Sequence, residues 1–263
     1  MITKLDREFI RTLAKEGKRK NGRAFDEHRS LRIEMGYAKN AEGSALVTLG
    51  ATKVLVGVKL SVGTPFADTS DEGVLMVNAE FGPKASPEFE TGPPGVDSIE
   101  LSRVVDRGIR ESKCIDLNAL CITPKEKVWM VSVDIDIIND AGNLIDAAGI
   151  AAIAALFDAR LPEIDEEVRP VFGTKKGKLK ISKIPVPVTV YRINGALVLD
   201  ADFEEVEAAE CRLTVTSVDG FLCAMQKGGA GNFKTAEVVQ AVEMAYAKAV
   251  PLREAVKQAI GNA

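Results

Sequence analysis

The chain is predicted to be an α+β protein built of two related lobes, in each of which strands precede a helix. Residues 44–62 are dominated by β-branched residues in a pattern with a period near two, which is typical of paired strands. Residues 146–160 form an apolar helical pattern, and a polar stretch after it is followed by a new set of strand patterns from residue 186. Strands and helices segregated in this way favour an α+β architecture.

The N-terminal residues 2–14 are predicted to form an amphipathic helix, because their apolar side chains recur at helical spacing. A basic arm at 15–23 follows, and a solvated helix end is its favoured interpretation, with contact to a polyanion as the alternative. Ser98 or Asp97 is expected to cap a helix that runs to residue 113, and Asp146 a helix that ends near residue 160. The predicted strands lie at 44–62 (two strands around Gly50), 74–81, 128–138, 186–193, 196–200, 211–217 and 221–225, and a last helix starts near 235 with a kink at Pro251.

Domain limits are placed where the composition changes. The polar, lysine-rich stretch between the lobes is predicted to be a linker. The proposed division is an N-terminal helix and basic arm (1–28), a first lobe (29–165), a linker (166–184) and a second lobe (185–263).

Composition excludes several classes of function. A net charge of −4 argues against a non-specific nucleic-acid coat, although it leaves room for a local basic stripe. The four cysteines form no C-x-x-C pair and there is one histidine, so no metal site is expected and the thiols are predicted to be reduced. No segment resembles a signal peptide or a membrane span, and a soluble cytoplasmic protein is therefore expected.

The most informative segment is a stripe of arginines. Arg103, Arg107 and Arg110 fall on one face of the predicted helix, opposite the apolar side. Guanidinium groups keep their charge and match phosphate oxygens with a planar fork of donors, so the stripe could follow a nucleic-acid backbone. From spacing alone a salt-bridged surface is the favoured interpretation, since Glu100 precedes Arg103 by three residues and Asp106 precedes Arg110 by four.

Two acidic groups offer other chemistry. Asp134, Asp136 and Asp140 lie near a strand end and suggest a Mg²⁺ or Mn²⁺ site of a metal-dependent hydrolase, with solvent-facing aspartates as the favoured alternative. A second acidic run, residues 200–207 with Glu210, could supply a general acid–base pair, but a solvated loop between strands is the preferred interpretation.

Eight separated motifs follow one another along the chain. They are Asn21-Gly-Arg23, Arg29-Ser-Leu-Arg32, Glu42-Gly-Ser-Ala45, Gly50-Ala-Thr-Lys-Val54, Thr64-Pro-Phe-Ala-Asp68, Asp71-Glu-Gly73, Phe89-Glu-Thr-Gly-Pro-Pro-Gly95 and Ile99-Glu-Leu-Ser-Arg-Val-Val-Asp-Arg107. In this order they resemble the RNase PH family of phosphorolytic exoribonucleases, and within it the non-catalytic ring subunits of the archaeal exosome. The resemblance covers about residues 20 to 250 and implies the RNase PH-like fold, in which each lobe is similar to domain 2 of ribosomal protein S5.

Departures from the family pattern imply that the chain has no catalytic residues of its own. In catalytic relatives a threonine or serine followed by arginine binds inorganic phosphate at a helix start. The matching stretch here, residues 140–146, contains no arginine. The two aspartates of catalytic relatives align with Val206 and Arg212, and Glu204, Glu205 and Glu207 are off register.

The resemblance also implies partners and roles. The chain would alternate with a catalytic homologue in a hexameric ring, a trimer of heterodimers, and would bind single-stranded RNA and RNA-binding cap proteins but no membrane. Arg103 and Arg107, with Arg110 beside them, would line the RNA path. No cofactor is expected, because inorganic phosphate is the co-substrate of the partner's site. The alternative within the family is a self-sufficient 3′–5′ exoribonuclease.

Overall fold

The computed structural model describes residues 2–261, which form two large β-sheets packed around helices and two small two-stranded sheets, β7 with β10 and β8 with β9. The helices are α1 (Lys4–Lys15), α2 (Val96–Ser112), α3 (Leu144–Asp158), α4 (Phe203–Ala208) and α5 (Thr235–Gly261), with a short 3-10 helix at Asn118–Leu120. The strands are β1 (Leu31–Met35), β2 (Gly43–Leu49), β3 (Thr52–Gly63), β4 (Val74–Glu80), β5 (Cys121–Thr123), β6 (Lys127–Asn139), β7 (Arg160–Leu161), β8 (Glu163–Ile164), β9 (Pro170–Val171), β10 (Gly177–Lys178), β11 (Val186–Ile193), β12 (Ala196–Leu199), β13 (Cys211–Val218) and β14 (Phe221–Gly228).

The first sheet has the order β1-β2-β3-β6-β4, with β5 paired to the end of β6. Its strands are antiparallel except for β4, which runs parallel to β6. The turn between β2 and β3 places Gly50 at φ +59°, a left-handed conformation that glycine adopts without steric cost. The two strands predicted around this glycine are therefore confirmed.

Helix α3 lies in the centre of the molecule. Twelve of its fifteen residues are buried, as its nearly uniform apolar surface predicts. It packs against β2 and β3 of the first sheet and against β11 of the second sheet. Small alanines dominate its sequence, which lets the strands of both lobes approach it closely. The core is built from Val, Ile, Leu and Ala, in agreement with an aromatic content of only 5%.

The second sheet has the order β12-β11-β13-β14 and is antiparallel throughout. Helix α5 covers it, and the helix continues through Pro251 to Gly261. A smaller cluster joins α1 to this lobe, where Ile10 and Ala14 pack with Tyr191 and Ile193. The predicted α+β class is confirmed.

Three local predictions were wrong. The first is the cap of α2: the N-cap residue is Gly95, and the Ser98 hydroxyl instead donates to the carbonyl of Ala79 in β4 at 2.7 Å. Second, the N-cap of α3 is Asn143, and Asp146 lies inside the first turn. Tertiary contacts of these side chains replaced the local caps that their sequence positions suggested.

The third wrong prediction concerns charge. Of the basic arm, Arg19 is buried rather than solvated, and the acidic run contains the short helix α4 rather than an open loop. Asp202 caps that helix in a capping box with Glu205. The basic arm and the acidic run contact each other through Arg19 with Glu205 and Lys20 with Glu204. Nothing in the local sequence of either segment indicates this contact, so each segment by itself predicts a solvated surface.

Candidate nucleic-acid interface

The arginine stripe lies on the exposed face of α2. Arg103, Arg107 and Arg110 point away from the core, while Leu101, Val105 and Gly108 are buried on the opposite side. Gly108 matters for this placement, because a Cβ atom there would lie 3.1 Å from the Thr216 side chain of β13. The helical spacing in the sequence therefore predicted the exposed face correctly.

The three arginines differ in their partners. Arg110 donates two hydrogen bonds to the Asp106 carboxylate, at 3.1 and 2.7 Å, and these bonds raise the pKa of the guanidinium. It also donates to the carbonyl of Leu75. Arg107 makes one weaker contact, to the Gln226 amide oxygen at 3.3 Å. Within residues 2–261, Arg103 makes no ion pair or side-chain hydrogen bond.

One of the two predicted helix ion pairs is confirmed and the other is wrong. Asp106 holds Arg110 as expected. Glu100, however, turns away from Arg103 and binds Arg212 of β13 at 2.6 Å. This pairing leaves the Arg103 charge available and neutralises Arg212 instead.

An open groove of about 470 Å³ runs beside the stripe, between α2 and the edge strand β4. Arg103 and Arg107 face it with most of their donors unused, so the groove offers two charged forks to an anionic chain. Its walls are Leu75, Met76, Val77, Asn78, Ser102, Arg103, Asp106, Arg107, Arg110 and Glu111.

The start of α3 is the position at which the motif resemblance implies a phosphate site in catalytic relatives, and here it is lined by carboxyl groups and amides. Asn143 adopts the left-handed conformation with φ +56°. Asp146 is fully buried and accepts hydrogen bonds from the Thr189 backbone N–H at 3.0 Å, the Thr189 hydroxyl at 2.7 Å and the Asn143 amide at 2.8 Å. Burial raises the pKa of its carboxyl group to about 7.

A second buried carboxylate, Asp200, lies beside this helix end. Arg29 binds it through both carboxylate oxygens, at 2.9 and 2.7 Å, and Asn143 donates to it at 3.0 Å. Burial opposes ionisation, but the bonds and charge of Arg29 outweigh it and hold the pKa of Asp200 below its usual value. The remaining donors of Arg29 go to Thr52, Ala141 and Gly142.

The glutamates of the second acidic run are occupied by the N-terminal arm. Glu205 forms a buried ion pair with Arg19 at 2.5 Å, with both side chains at most 3% exposed. Glu204 binds Lys20 at 2.8 Å. Glu207 lies 3.6 Å from Arg7. These carboxylates stabilise the packing of α1 and the arm on the second lobe, and a free acid–base pair is not formed by them.

The three aspartates proposed as metal ligands have separate partners. Asp134 accepts from Asn78 at 3.3 Å, Asp136 binds Lys84 at 3.0 Å, and Asp140 accepts the Gly142 N–H within the turn before α3. Over residues 2–261, no three or more His, Cys, Asp or Glu side chains come together in a group that could hold a metal ion. Asp134 and Asp136 therefore bind neighbouring side chains at the surface of the first sheet, and Asp140 stabilises the turn before α3.

Sequence reasoning missed the pairing of Arg29 with Asp200 and the role of Asn143. The two charged partners are 171 residues apart, and neither stands in a motif that indicates the other. Only the docking of the two lobes brings them together. Gly142 marks this approach: with φ +90°, its missing Cβ would lie 2.5 Å from the backbone of Asp202.

Two family patterns match the chain. The 3′ exoribonuclease family, domain 1, known as RNase PH, matches residues 27–162, and domain 2 of the same family matches residues 183–248. The chain therefore belongs to the RNase PH family of 3′ exoribonucleases. The resemblance predicted from the motifs is confirmed. No helix within the described part of the chain is both long and apolar enough to cross a membrane.

Full-length relatives narrow the comparison within that family. The chain is 44% identical to the exosome complex component Rrp42 of Methanocella arvoryzae, covering 97% of this chain and 96% of the relative. It is 46% identical to the component of the same name from Pyrococcus horikoshii, covering 99% and 96%.

Solved structures agree with this assignment. A chain of the Archaeoglobus fulgidus exosome with RNA bound to the active site superposes with a TM-score of 0.90 at 41% identity, covering 95% of this chain and 97% of that chain. A chain of an archaeal exosome core superposes with a TM-score of 0.86 at 38% identity, covering 96% of each. The RNase PH-like fold predicted from the motifs is therefore confirmed.

Proposed function

We propose that this chain is a ring subunit of an RNA-degrading exosome, that it lacks a phosphorolytic site of its own, and that it binds RNA for a catalytic homologue. The observation that carries the proposal is a contrast between two helices. Carboxyl groups of Asp146 and Asp200 lie at the start of α3, whereas the exposed face of α2 presents Arg103 and Arg107 without an acidic partner among the described residues. The relatives named Rrp42 and the exosome structures support the assembly.

Phosphorolysis requires a cationic cradle for the attacking phosphate, usually backbone N–H groups of a helix start together with a basic side chain. At α3 the side chains nearest the helix start are Asn143, Asp146 and Asp200. The neighbouring cation, Arg29, spends its donors on Asp200 and on backbone carbonyls. A phosphate ion entering here would find Arg29 already engaged by Asp200 and by backbone carbonyls, so this guanidinium is not free to bind it.

RNA binding by α2 follows from the free donors of Arg103 and Arg107. Each guanidinium presents a planar fork to phosphate oxygens, and the two lie one helical turn apart along the groove. Arg110 remains a predicted RNA contact, but its bidentate pair with Asp106 withholds donors from a ligand. We therefore assign the main grip to Arg103 and Arg107.

In this proposal the chain alternates with the catalytic homologue as a trimer of heterodimers, which in turn carries RNA-binding cap proteins. Single-stranded RNA is held by both chains and cut by one, with inorganic phosphate as the co-substrate of the partner's site. No cofactor and no metal of this chain take part. The compartment we propose is the cytoplasm.

The catalytic half of the proposal is tested by incubating the purified chain with single-stranded RNA and inorganic phosphate, with and without the co-expressed homologue. We expect release of nucleoside diphosphates only from the mixture. Phosphate-dependent release by the chain alone, lost on Glu207→Gln at a more exposed position, would show instead a self-sufficient exoribonuclease. Native mass of the chain alone and of the mixture reports ring assembly in the same samples.

The binding half is tested with the double variant Arg103→Ala with Arg107→Ala in the assembled complex. Loss of two phosphate contacts on a single strand should lower the slope of log affinity against log salt by about 1.4. A matched control, Arg32→Ala with Lys234→Ala, removes the same charge from exposed positions away from α2 and should leave the slope unchanged. If the wild type, the Arg103 and Arg107 variant and the control all show the same salt slope, the α2 face does not contact RNA and is an ordinary charged surface.

A further inference from the structure

A second cationic surface lies on the segment that joins the two lobes, far along the chain from α2. The sequence Lys176-Gly-Lys-Leu-Lys-Ile181 alternates a charged residue with a small or apolar one. In the structure β10 pairs antiparallel with β7, which sets Lys178 opposite Arg160. Two further backbone bonds, from Lys176 N–H to Leu161 and from Leu179 N–H to Ala159, extend the pairing at both ends.

The alternation sorts the side chains onto two faces. Leu179 is buried in the core, with Ala159 beside it on the paired strand. Successive residues of a strand point to opposite faces, so Lys176, Lys178 and Lys180 point outward. Arg160 shares that face because it lies directly across from Lys178. We call these four residues, Arg160, Lys176, Lys178 and Lys180, the lysine ribbon.

The charges of the lysine ribbon are open. Among residues 2–261, none of its four cations takes part in an ion pair or donates a side-chain hydrogen bond. The acidic turn at residues 165–167 is already neutralised in part, since Arg169 binds both Asp165 and Glu167. Outward residues of a strand recur about every 7 Å, so the ribbon presents an evenly spaced row of positive charge.

An exposed aromatic ring lies next to this row. Phe172, at the end of β9, is 75% exposed. The ammonium of Lys59 lies 5.4 Å from the centre of its ring and also binds the Glu42 carboxylate at 2.8 Å. The Glu42 carbonyl in turn accepts the Arg160 backbone N–H at 3.0 Å. The ring is therefore linked to Arg160 of the ribbon through three successive contacts, and it is 75% exposed to a stacking partner.

We propose that the lysine ribbon and Phe172 form a binding surface for single-stranded RNA that is separate from the α2 groove. Open cations that follow a backbone, combined with an exposed ring on which a base stacks, are the features that single-strand binders share. An acidic protein segment would use the charges but would gain little from the ring. The family's action on RNA 3′ ends agrees with this choice of ligand.

The register of the first sheet relates Lys59, which lies over the Phe172 ring, to the α2 groove. Lys59 is in register with Ser132 of β6, and Ser132 with Met76 of β4, which lines the groove. Two strand spacings, about 10 Å, therefore separate the backbone of Lys59 from that of Met76. A single RNA strand is long enough to contact both surfaces, but each surface has its own residues and is tested by its own variants.

The test measures binding of a fluorescent 20-nucleotide oligoadenylate to the full chain as a function of salt. Lys176→Gln with Lys178→Gln and Lys180→Gln should lower the salt slope by about 2 and weaken binding roughly tenfold near 0.1 M salt. Phe172→Leu should weaken binding about fivefold or more without changing the slope, because it removes stacking and no charge. A control with Lys15, Lys53 and Lys234 changed to Gln removes the same charge from exposed lysines and should retain the wild-type slope.

Other outcomes are equally informative. Wild-type affinity and slope in the ribbon variant, or no binding of the oligonucleotide by the wild type, would overturn the inference. So would tight binding of a polyglutamate probe that is lost in the ribbon variant and indifferent to Phe172→Leu, since that result identifies an acidic protein ligand. Loss of binding in the Arg103 and Arg107 variant alone leaves the proposed function intact and removes only the ribbon; the reverse result removes only the α2 assignment.

Discussion

The start of α3 and the exposed face of α2 both gather charged side chains, yet they hold them in opposite ways. At α3, Asp146 and Asp200 are fully buried, and Arg29 uses its donors on Asp200 and on neighbouring oxygens. On α2, Arg103 and Arg107 are exposed, and among residues 2–261 a single weak contact, from Arg107 to Gln226, engages them. At the start of α3 the charged groups bind one another and hold the two lobes together. On α2 the arginines remain available to a ligand.

This difference teaches that residue type alone does not separate structural charge from functional charge. A buried ion pair is retained because removing one partner leaves an uncompensated charge away from water. An exposed guanidinium without a partner adds little to stability, and its presence is better explained by binding. The variants below test each side of this contrast, from the largest expected effect to the smallest.

The largest effect is expected from Arg19→Met. The substitution leaves the buried Glu205 with only the more distant Arg23, at 3.9 Å, which should lower the free energy of unfolding by up to about 3–5 kcal/mol. Urea unfolding followed by fluorescence of Trp129, the chain's single tryptophan, measures the change. Arg169→Met, at an exposed ion pair, is the control and should change stability by less than about 0.5 kcal/mol.

A double variant sharpens this result. Glu205→Gln combined with Arg19→Met removes both charges and keeps an oxygen that can accept the Asp202 N–H at the start of α4. It should be more stable than Arg19→Met alone. If the double variant were the less stable protein, the loss would come from packing of the arginine rather than from an unpaired carboxylate.

Next in size is a pH dependence that Asp146 imposes. Its pKa is raised from 3.8 to about 7 in the folded protein, so the folded state binds the extra proton between these values. The associated stability is fully present below pH 3.8 and is lost as pH rises through 7, with a slope of up to about 1.4 kcal/mol per pH unit. Asp146→Asn should remove this component, seen as the difference between the two proteins in urea unfolding from pH 5 to 8.

The hydrogen bonds at Asp146 explain why asparagine is a suitable replacement. One carboxylate oxygen accepts from the Thr189 N–H and from Asn143, a role that the amide oxygen can keep. The other meets the Thr189 hydroxyl, which can accept from the new amide and donate to Thr214 at 2.9 Å. The same pH slope in both proteins would assign the titration to another group.

The smallest effect is expected at Arg110. If its pair with Asp106 withholds it from RNA, Asp106→Asn should release it and raise the salt slope of RNA binding by about 0.7. Stability should fall by only about 0.3–0.5 kcal/mol, as for other helix pairs four residues apart. An unchanged slope would place Arg110 outside the RNA path, and Asp106→Asn with Arg110→Ala serves as the control.

Local sequence patterns were sufficient to predict much of the fold and, of the two charged regions compared above, the exposed arginine face of α2. The period-two pattern of residues 44–62 located β2 and β3, and the apolar run of 146–160 located a buried helix. The stripe of Arg103, Arg107 and Arg110 follows from helical spacing alone, and its exposure agrees. These features depend on residues within a few turns of each other, which is the range that periodicity reports.

The amino-acid sequence by itself therefore determined the elements, their apolar faces and the family to which the chain belongs. Only the tertiary structure decided which charges are neutralised: Arg19 by Glu205, Arg212 by Glu100, and Arg29 by Asp200. The physical reason is distance along the chain. Partners more than 100 residues apart meet only after both lobes have packed, and the free energy of a charge depends on where that packing leaves it relative to water.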